Sequence, residues 1–274
     1  MRNRKRYGWI VFLGIAIFVA YRFRFEIING IQKQVLETIR EEAAHPHAST
    51  ANSNTQQQAH LIYSLNGLDK IWPHRVNSLE RLRYLYKDFA GFECDIRFNA
   101  ENHHCYIAHD SSEVDSLTFD DYLGQADPEH KLFWLDTKNL NAANVDAFCQ
   151  KLEELDRQWQ IRNRVIVESS DTAALSRIET RRWLSSFYLP SFPATGKSEN
   201  EYLHGISSWI KDHGALISQE FAMHSFLSTH FPEKKQLAWD LRFWNSLNRN
   251  LVLNHCKDKS VLIWLINVKS PGYR

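Results

Sequence analysis

The residues of this chain best suited to chemistry fall between Ile71 and Lys138. His74 and His109 each stand where a strand-like apolar run gives out. Between them runs Phe92-Glu93-Cys94-Asp95-Ile96-Arg97-Phe98, in which alternation puts Phe92, Cys94, Ile96 and Phe98 on one face and Glu93, Asp95 and Arg97 on the other. The pattern recurs at Leu132-Phe133-Trp134-Leu135-Asp136-Thr137-Lys138, where Asp136 and Lys138 share a face. One such strand is explained by a solvent-facing side. Two strands with three carboxylates, and a histidine at two other strand ends, point to a hard-cation site with acid/base partners.

Those strands belong to a longer alternation. From about Leu61 onward, strand-like segments centre on 71–74, 92–98, 132–138, 165–169, 186–189, 215–220, 236–241 and 261–267, with an extra extended piece at 104–109. Helix-like segments separate them. Asn77 with Glu80, and Thr118 with Asp121, have the spacing of helix N-caps with an acidic partner three residues on. Val145, Phe148, Leu152 and Leu155 form an apolar stripe that also takes in Cys149, read as a buried thiol. Eight strands alternating with helices predict an α/β fold, a (β/α)8 TIM barrel over residues 61–274. Both faces of such a sheet are covered, so Glu93 and Asp95 must point into the barrel, where carboxylates need a cation or a basic partner. His74, Asp95, His109 and Lys138 all fall near C-terminal strand ends, where barrels carry their active groups.

The first sixty residues differ in kind. Arg2, Arg4, Lys5 and Arg6 precede an uncharged run from Tyr7 to Tyr21. Fifteen helical residues reach about 22 Å, but Arg22 and Arg24 can snorkel and Phe23, Phe25, Ile27 and Ile28 extend the apolar length. Phe18 sits at a position where a cleaved signal peptide wants a small residue, so residues 1–28 read as an uncleaved transmembrane anchor. The basic flank keeps the N-terminus cytoplasmic and exports the rest, into periplasm, lumen or extracellular space. Residues 29–60 read as a juxtamembrane amphipathic helix followed by a polar linker, with His45 and His47 solvated.

Composition removes several classes. Lys and Arg number 33 against 32 Asp and Glu, which gives no electrostatic case for nucleic acid. Cys94, Cys105, Cys149 and Cys256 have no C-x-x-C spacing, so zinc-ribbon and thioredoxin readings fail. Cys94 and Cys105 fit either a disulfide in an exported domain or buried free thiols. His103-His104-Cys105 lacks the further ligands of a closed soft-metal site.

The set His74-Arg75-Val76-Asn77, Glu93-Cys94-Asp95, His109 and Asp136-Thr137-Lys138 resembles the glycerophosphodiester phosphodiesterase superfamily, barrels of phospholipase-C-like fold. The resemblance is densest over residues 70–140. It is closer to sphingomyelinase-D-type phospholipases, and to menorin-like proteins, than to cytosolic glycerophosphodiesterases, since Asn77-Ser78 stands where the latter carry Pro-Glu-Asn-Thr. No cysteine pair follows His109, so the toxins' disulfide-bounded loop is absent from the match.

The resemblance implies a phosphodiesterase acting on glycerophosphodiesters or phospholipid headgroups. His74 and His109 are then the general acid/base pair, and Glu93, Asp95 and Asp136 hold one Mg²⁺ or Ca²⁺. Lys138 contacts a non-bridging oxygen, with Arg75 beside it. Asn77 is a candidate substrate contact, although a helix cap explains it fully. Trp239 and Trp264 are candidates to line a lipid or headgroup pocket, and Glu168 is an additional pocket residue. Two rivals follow: a catalytically silent barrel that binds phospholipid or a protein partner, and a metal hydrolase of another barrel family acting on amide or sugar bonds. An all-carboxylate ligand set suits phosphate chemistry better than the second.

Overall fold

A computed structural model of the protein describes residues 61–114, 117–125, 131–190, 198–213, 216–239, 257–268 and Ser270. The expected anchor over 1–28 and the linker over 29–60 lie outside the described residues. Among those described, no helix is long and apolar enough to cross a membrane.

The order is β1 (Ile71–Pro73), α1 (Leu79–Leu85), β2 (Gly91–Asn99), β3 (His104–Ile107), α2 (Phe119–Gln125), β4 (Leu132–Thr137), α3 (Val145–Trp159), β5 (Val165–Ser169), α4 (Thr172–Thr180), β6 (Leu184–Tyr188), α5 (Glu199–Asp212), β7 (Leu216–Glu220), α6 (His224–His230), β8 (Gln236–Trp239) and β9 (Val261–Ile266). Every expected strand is present. The sheet runs β1-β9-β8-β7-β6-β5-β4-β2-β3, parallel throughout except for the antiparallel β2–β3 pair. It curls, so that β1 at one end lies beside β2 near the other. The Val76 N–H donates to the Glu93 carbonyl at 2.9 Å, and the Ala108 N–H donates to the Asp95 carbonyl at 3.1 Å. The edge of β2 is thus shared, first by the residues just after β1 and then by β3. This is the curled α/β sheet expected of a TIM-like barrel.

Strand alternation sorts the core into layers. Trp72, Trp134, Ile166, Leu216, Leu237, Ile263 and Leu265 form one cluster in the lower interior of the curl. The outward residues of the same strands, among them Cys94, Ile96, Phe133, Leu135, Val165 and Val167, pack under α1–α3 in a second. A third cluster, around Phe187, Tyr202, Ile206 and Leu227, seats α5 and α6. Val145, Phe148, Cys149, Leu152 and Leu155 are all buried on α3 as their spacing requires. Cys94, Cys105 and Cys149 are buried free thiols.

The caps divide. Thr118 and Asp121 exchange hydrogen bonds as expected, Thr118 N–H donating to Asp121 Oδ2 at 2.9 Å and Asp121 N–H to Thr118 Oγ1 at 3.2 Å. At α1 the cap is Ser78, whose Oγ accepts from the Arg81 N–H at 3.2 Å, and not Asn77 as the spacing suggested. The Asn77 side chain is drawn instead to Asp95, because the turn after β1 lays it against β2.

Candidate active site

Above the apolar interior, the inward positions of the strands turn polar. β2 climbs through Glu93 and Asp95 to Arg97, β4 through Trp134 to Asp136, and β5 through Ile166 to Glu168. β6 contributes Ser186 and Tyr188, and β8 contributes Trp239. Asp95, Asp136 and Glu168 are register partners on adjacent strands. Parallel pairing without a bulge therefore sets three acids side by side. Asp136 and Glu168 open into a cavity of about 190 Å³ lined by His74, Arg75, Glu93, His109, Trp134, Asp136, Lys138, Glu168, Tyr188, Trp239 and Leu265, with Asp95 buried behind it.

One ligand atom each from Glu93, Asp95 and Asp136 lie within 4.8 Å of one another. Glu93 Oε2 accepts from the Arg75 N–H at 2.6 Å, which holds Arg75 at a φ of 52°. That left-handed backbone costs a non-glycine residue about 1–2 kcal/mol, and the buried carboxylate offsets it. Glu93 Oε1 is buried and accepts no hydrogen bond from the described residues. Asp95 is clamped by one side chain: Asn77 Nδ2 donates to its Oδ2 at 2.5 Å, while its N–H donates to Asn77 Oδ1 at 3.0 Å. Lys138 Nζ lies 2.7 Å from Asp95 Oδ1 and is hydrogen-bonded to Asp136 Oδ2.

The charges follow from this packing. Burial, then the neighbouring Asp95 and Asp136, push Glu93 well above the usual carboxylate range. Burial also pushes Asp136 up, against the pull of Lys138. Asp95 is as deeply set, but Lys138 and Asn77 outweigh its burial and hold it low. Burial works against the Lys138 ammonium, and the three carboxylates around it more than reverse that. Glu168 is raised by burial and then by Asp136. Three acids stand here against the Lys138 ammonium and the Arg75 guanidinium, whose Nε lies 3.9 Å from Asp95 Oδ2. With the unbonded Glu93 Oε1, that donor set fits a hard divalent cation.

The histidines flank the acids. His74 Nδ1 lies 3.2 Å from Asn267 Oδ1, and His74 Nε2 lies 3.7 Å from Glu93 Oε2. An amide oxygen only accepts, so Nδ1 carries the proton and Nε2 is the basic nitrogen. Burial lowers His74 to about 4, although the Asn267 bond works the other way. His109 Nδ1 lies 3.1 Å from Asp110 Oδ1, on a turn where His109 is about 32% exposed.

The structure thus brings together His74, His109, Glu93, Asp95, Asp136, Lys138 and Arg75, with Asn77 behind Asp95. Trp239 and Glu168 also line the cavity, and Trp239 stacks on Tyr188 with ring centroids 6.4 Å apart and planes within 3°. Trp264 does not join them. It is buried in the outer layer against Phe221, centroids 4.4 Å apart, while its neighbour Leu265 faces the cavity. The run Val-Leu-Ile-Trp-Leu-Ile is apolar on both faces, so its phase is not readable from sequence. The sequence pattern does not point to Asn267 or Tyr188. Asn267 follows the strand paired with β1, and Tyr188 is two residues beyond inward Ser186; closure of the sheet is what brings both to the site.

No protein-family model matches this chain, and no curated protein matches it in sequence. Solved structures do. A glycerophosphodiester phosphodiesterase from Parabacteroides distasonis is 13% identical, with a TM-score of 0.50 over 72% of this chain and 92% of that one. A phosphodiesterase from Oleispira antarctica, solved in complex with the product sn-glycerol-3-phosphate, is 11% identical, with a TM-score of 0.50 over 74% of this chain and 94% of that one. At these identities the likeness is one of architecture: the chain has the fold of the glycerophosphodiester phosphodiesterase structures.

Proposed function

We propose that this chain is a cation-dependent phosphodiesterase that cleaves glycerophosphodiesters or phospholipid headgroups. The observation that carries the reading is the convergence of Glu93, Asp95 and Asp136 within 4.8 Å, at a cavity flanked by His74 and His109. The fold it shares with phosphodiesterases, one of them holding a glycerol phosphate product, supports it.

Glu93, Asp95 and Asp136 would hold the cation, Mg²⁺ or Ca²⁺, which would supply charge withdrawal from the phosphoryl group. Lys138 and Arg75 orient the non-bridging oxygens; Arg75 is fixed by its own N–H on Glu93. His74, neutral and with Nε2 unprotonated, takes the proton of the attacking hydroxyl. His109, oriented through Nδ1 by Asp110, returns a proton to the leaving oxygen. Tyr188 and Trp239 supply a flat wall for the alcohol portion of the diester. The N-terminal apolar run, with its basic flank, anchors the protein on the exported side of a membrane and keeps this cavity near lipid.

One observation favours a second reading. The Lys138 ammonium already lies among the carboxylates, which lowers the need for a cation and suits a silent phospholipid-binding barrel. The test is phosphorus NMR of the full-length protein in detergent, with glycerophosphodiesters, lysophospholipids and sphingomyelin, with and without chelator. Chelator-sensitive cleavage that falls by about 10²–10⁴ in His74→Gln and in His109→Gln is expected. A folded protein that binds cation and turns over none of these would favour the silent barrel.

A further inference from the structure

Arg97 is the next inward residue of β2 above Glu93 and Asp95. It does not line the cavity. Its Nε instead donates to the main-chain carbonyl of His109 at 3.0 Å. His109 follows the β2–β3 hairpin, whose ladder ends at the pair Ile96–Ile107 and whose last backbone link is Ala108 N–H to Asp95. Beyond that point, the bonds of the described turn residues fall mostly within the turn. Glu113 N–H donates to the Asp110 carbonyl at 3.0 Å, Asp110 N–H to Glu113 Oε2 at 3.3 Å, and the His109 ring pairs with Asp110. Among the described residues, the turn from His109 to Glu113 makes one hydrogen bond to the sheet, and Arg97 makes it.

We infer that Arg97 is a positioning residue, fixing the His109 imidazole relative to the carboxylates two and four residues below it on the same strand. The inference rests on the proposed role of His109. A second arginine does the same for the other histidine: buried Arg81 donates from Nη2 to the His74 carbonyl at 2.9 Å and from Nη1 to the Val268 carbonyl at 2.7 Å. Each histidine is therefore held through its backbone by a guanidinium rooted in a regular element. Each imidazole spends only Nδ1 on a side-chain partner, Asn267 for His74 and Asp110 for His109, and keeps Nε2 for proton exchange. A guanidinium suits the task, since its planar donors fix direction where an ammonium fixes only distance.

Arg97 is only partly buried, so its variants are expected to fold. In Arg97→Gln, kcat for the diester found by the screen above is expected to fall about tenfold to hundredfold with KM within about twofold, as for a misplaced catalytic group. Arg97→Lys is expected to recover part of the loss. The readout that does not depend on turnover is the ¹⁵N-correlated imidazole spectrum of the full-length protein, in which the His109 signals, assigned by their loss in His109→Gln, should shift or broaden in Arg97→Gln while those of His74 stay in place. An unchanged His109 spectrum overturns the inference. So does a rise in KM at constant kcat, which would make Arg97 a direct substrate contact. If the wild-type protein cleaves none of the diesters, the phosphodiesterase reading fails and the spectrum alone decides whether Arg97 positions His109.

Discussion

Asn77 and Ser78 are neighbours with separate tasks. Ser78 caps α1 through one N–H, and Asn77 holds both the side chain and the main chain of Asp95. Ser78→Ala is expected to lose about 1 kcal/mol of stability, the usual value of a cap, and to leave cation affinity untouched. Asn77→Ala strips a buried carboxylate of a donor and its N–H of an acceptor, a destabilisation of about 1–3 kcal/mol. It should also weaken the cation about tenfold to hundredfold, because the ligand loses its orienting partner. Calorimetric titration of both variants with Mg²⁺ checks this; equal affinities would show that Asn77 does not orient a cation ligand.

At the scale of the element, β2 carries the site and also closes the bottom of the sheet. Gly91 begins it, and a Cβ there would lie 2.4 Å from the ring of Trp72, which is fully buried on β1. No side chain fits without moving Trp72. Gly91→Ala is expected to cost about 1–3 kcal/mol by overpacking, read as a lower urea midpoint at constant slope. Because the clash lies beneath the carboxylates and draws β1 away from β2, His74 should shift with it. A midpoint equal to wild type would mean that Trp72 has room to move. The alternation of β2 and β4 was legible in sequence because polar residues recur at every second position. On β9 they do not, and the face of Trp264, a candidate pocket residue, is not legible for that reason.

For the whole molecule, the buried charges make stability depend on pH in two opposed ways. His74 is lowered from 6.5 to about 4, so the neutral ring contributes stability above pH 6.5 that is lost as pH falls through about 4. Glu93, Asp136 and Glu168 are raised, so their neutral forms contribute at low pH and that contribution is lost as pH rises through their folded values. A cation reverses the second effect by favouring the ionised carboxylates. At a hundredfold excess over Kd it adds about 2.7 kcal/mol, or about 5–10 °C in Tm for a domain of this size. That increment should be larger at pH 8 than at pH 5.5, where protons compete. Calorimetry with Mg²⁺ and with chelator measures it, and equal increments at both pH values would show that these carboxylates do not hold the ion.

The sequence by itself determined the parts that depend on local periodicity. Period-two alternation fixed which of Glu93, Asp95, Asp136 and Lys138 share a face, and the strand–helix rhythm fixed the parallel sheet whose interior that face must line. It also set His74 and His109 at strand ends, and the resemblance followed from those residues. Tertiary structure decided whatever depends on distant chain segments meeting. Asn267 reaches His74 across 193 positions because β9 pairs with β1. Glu168, Tyr188 and Trp239 become one wall only when β5, β6 and β8 curl around a common axis. Asn77 leaves its helix for Asp95 because a buried carboxylate demands a donor more than an exposed helix end does. Local pattern encodes the direction in which a side chain points; closure of the sheet decides what it meets there.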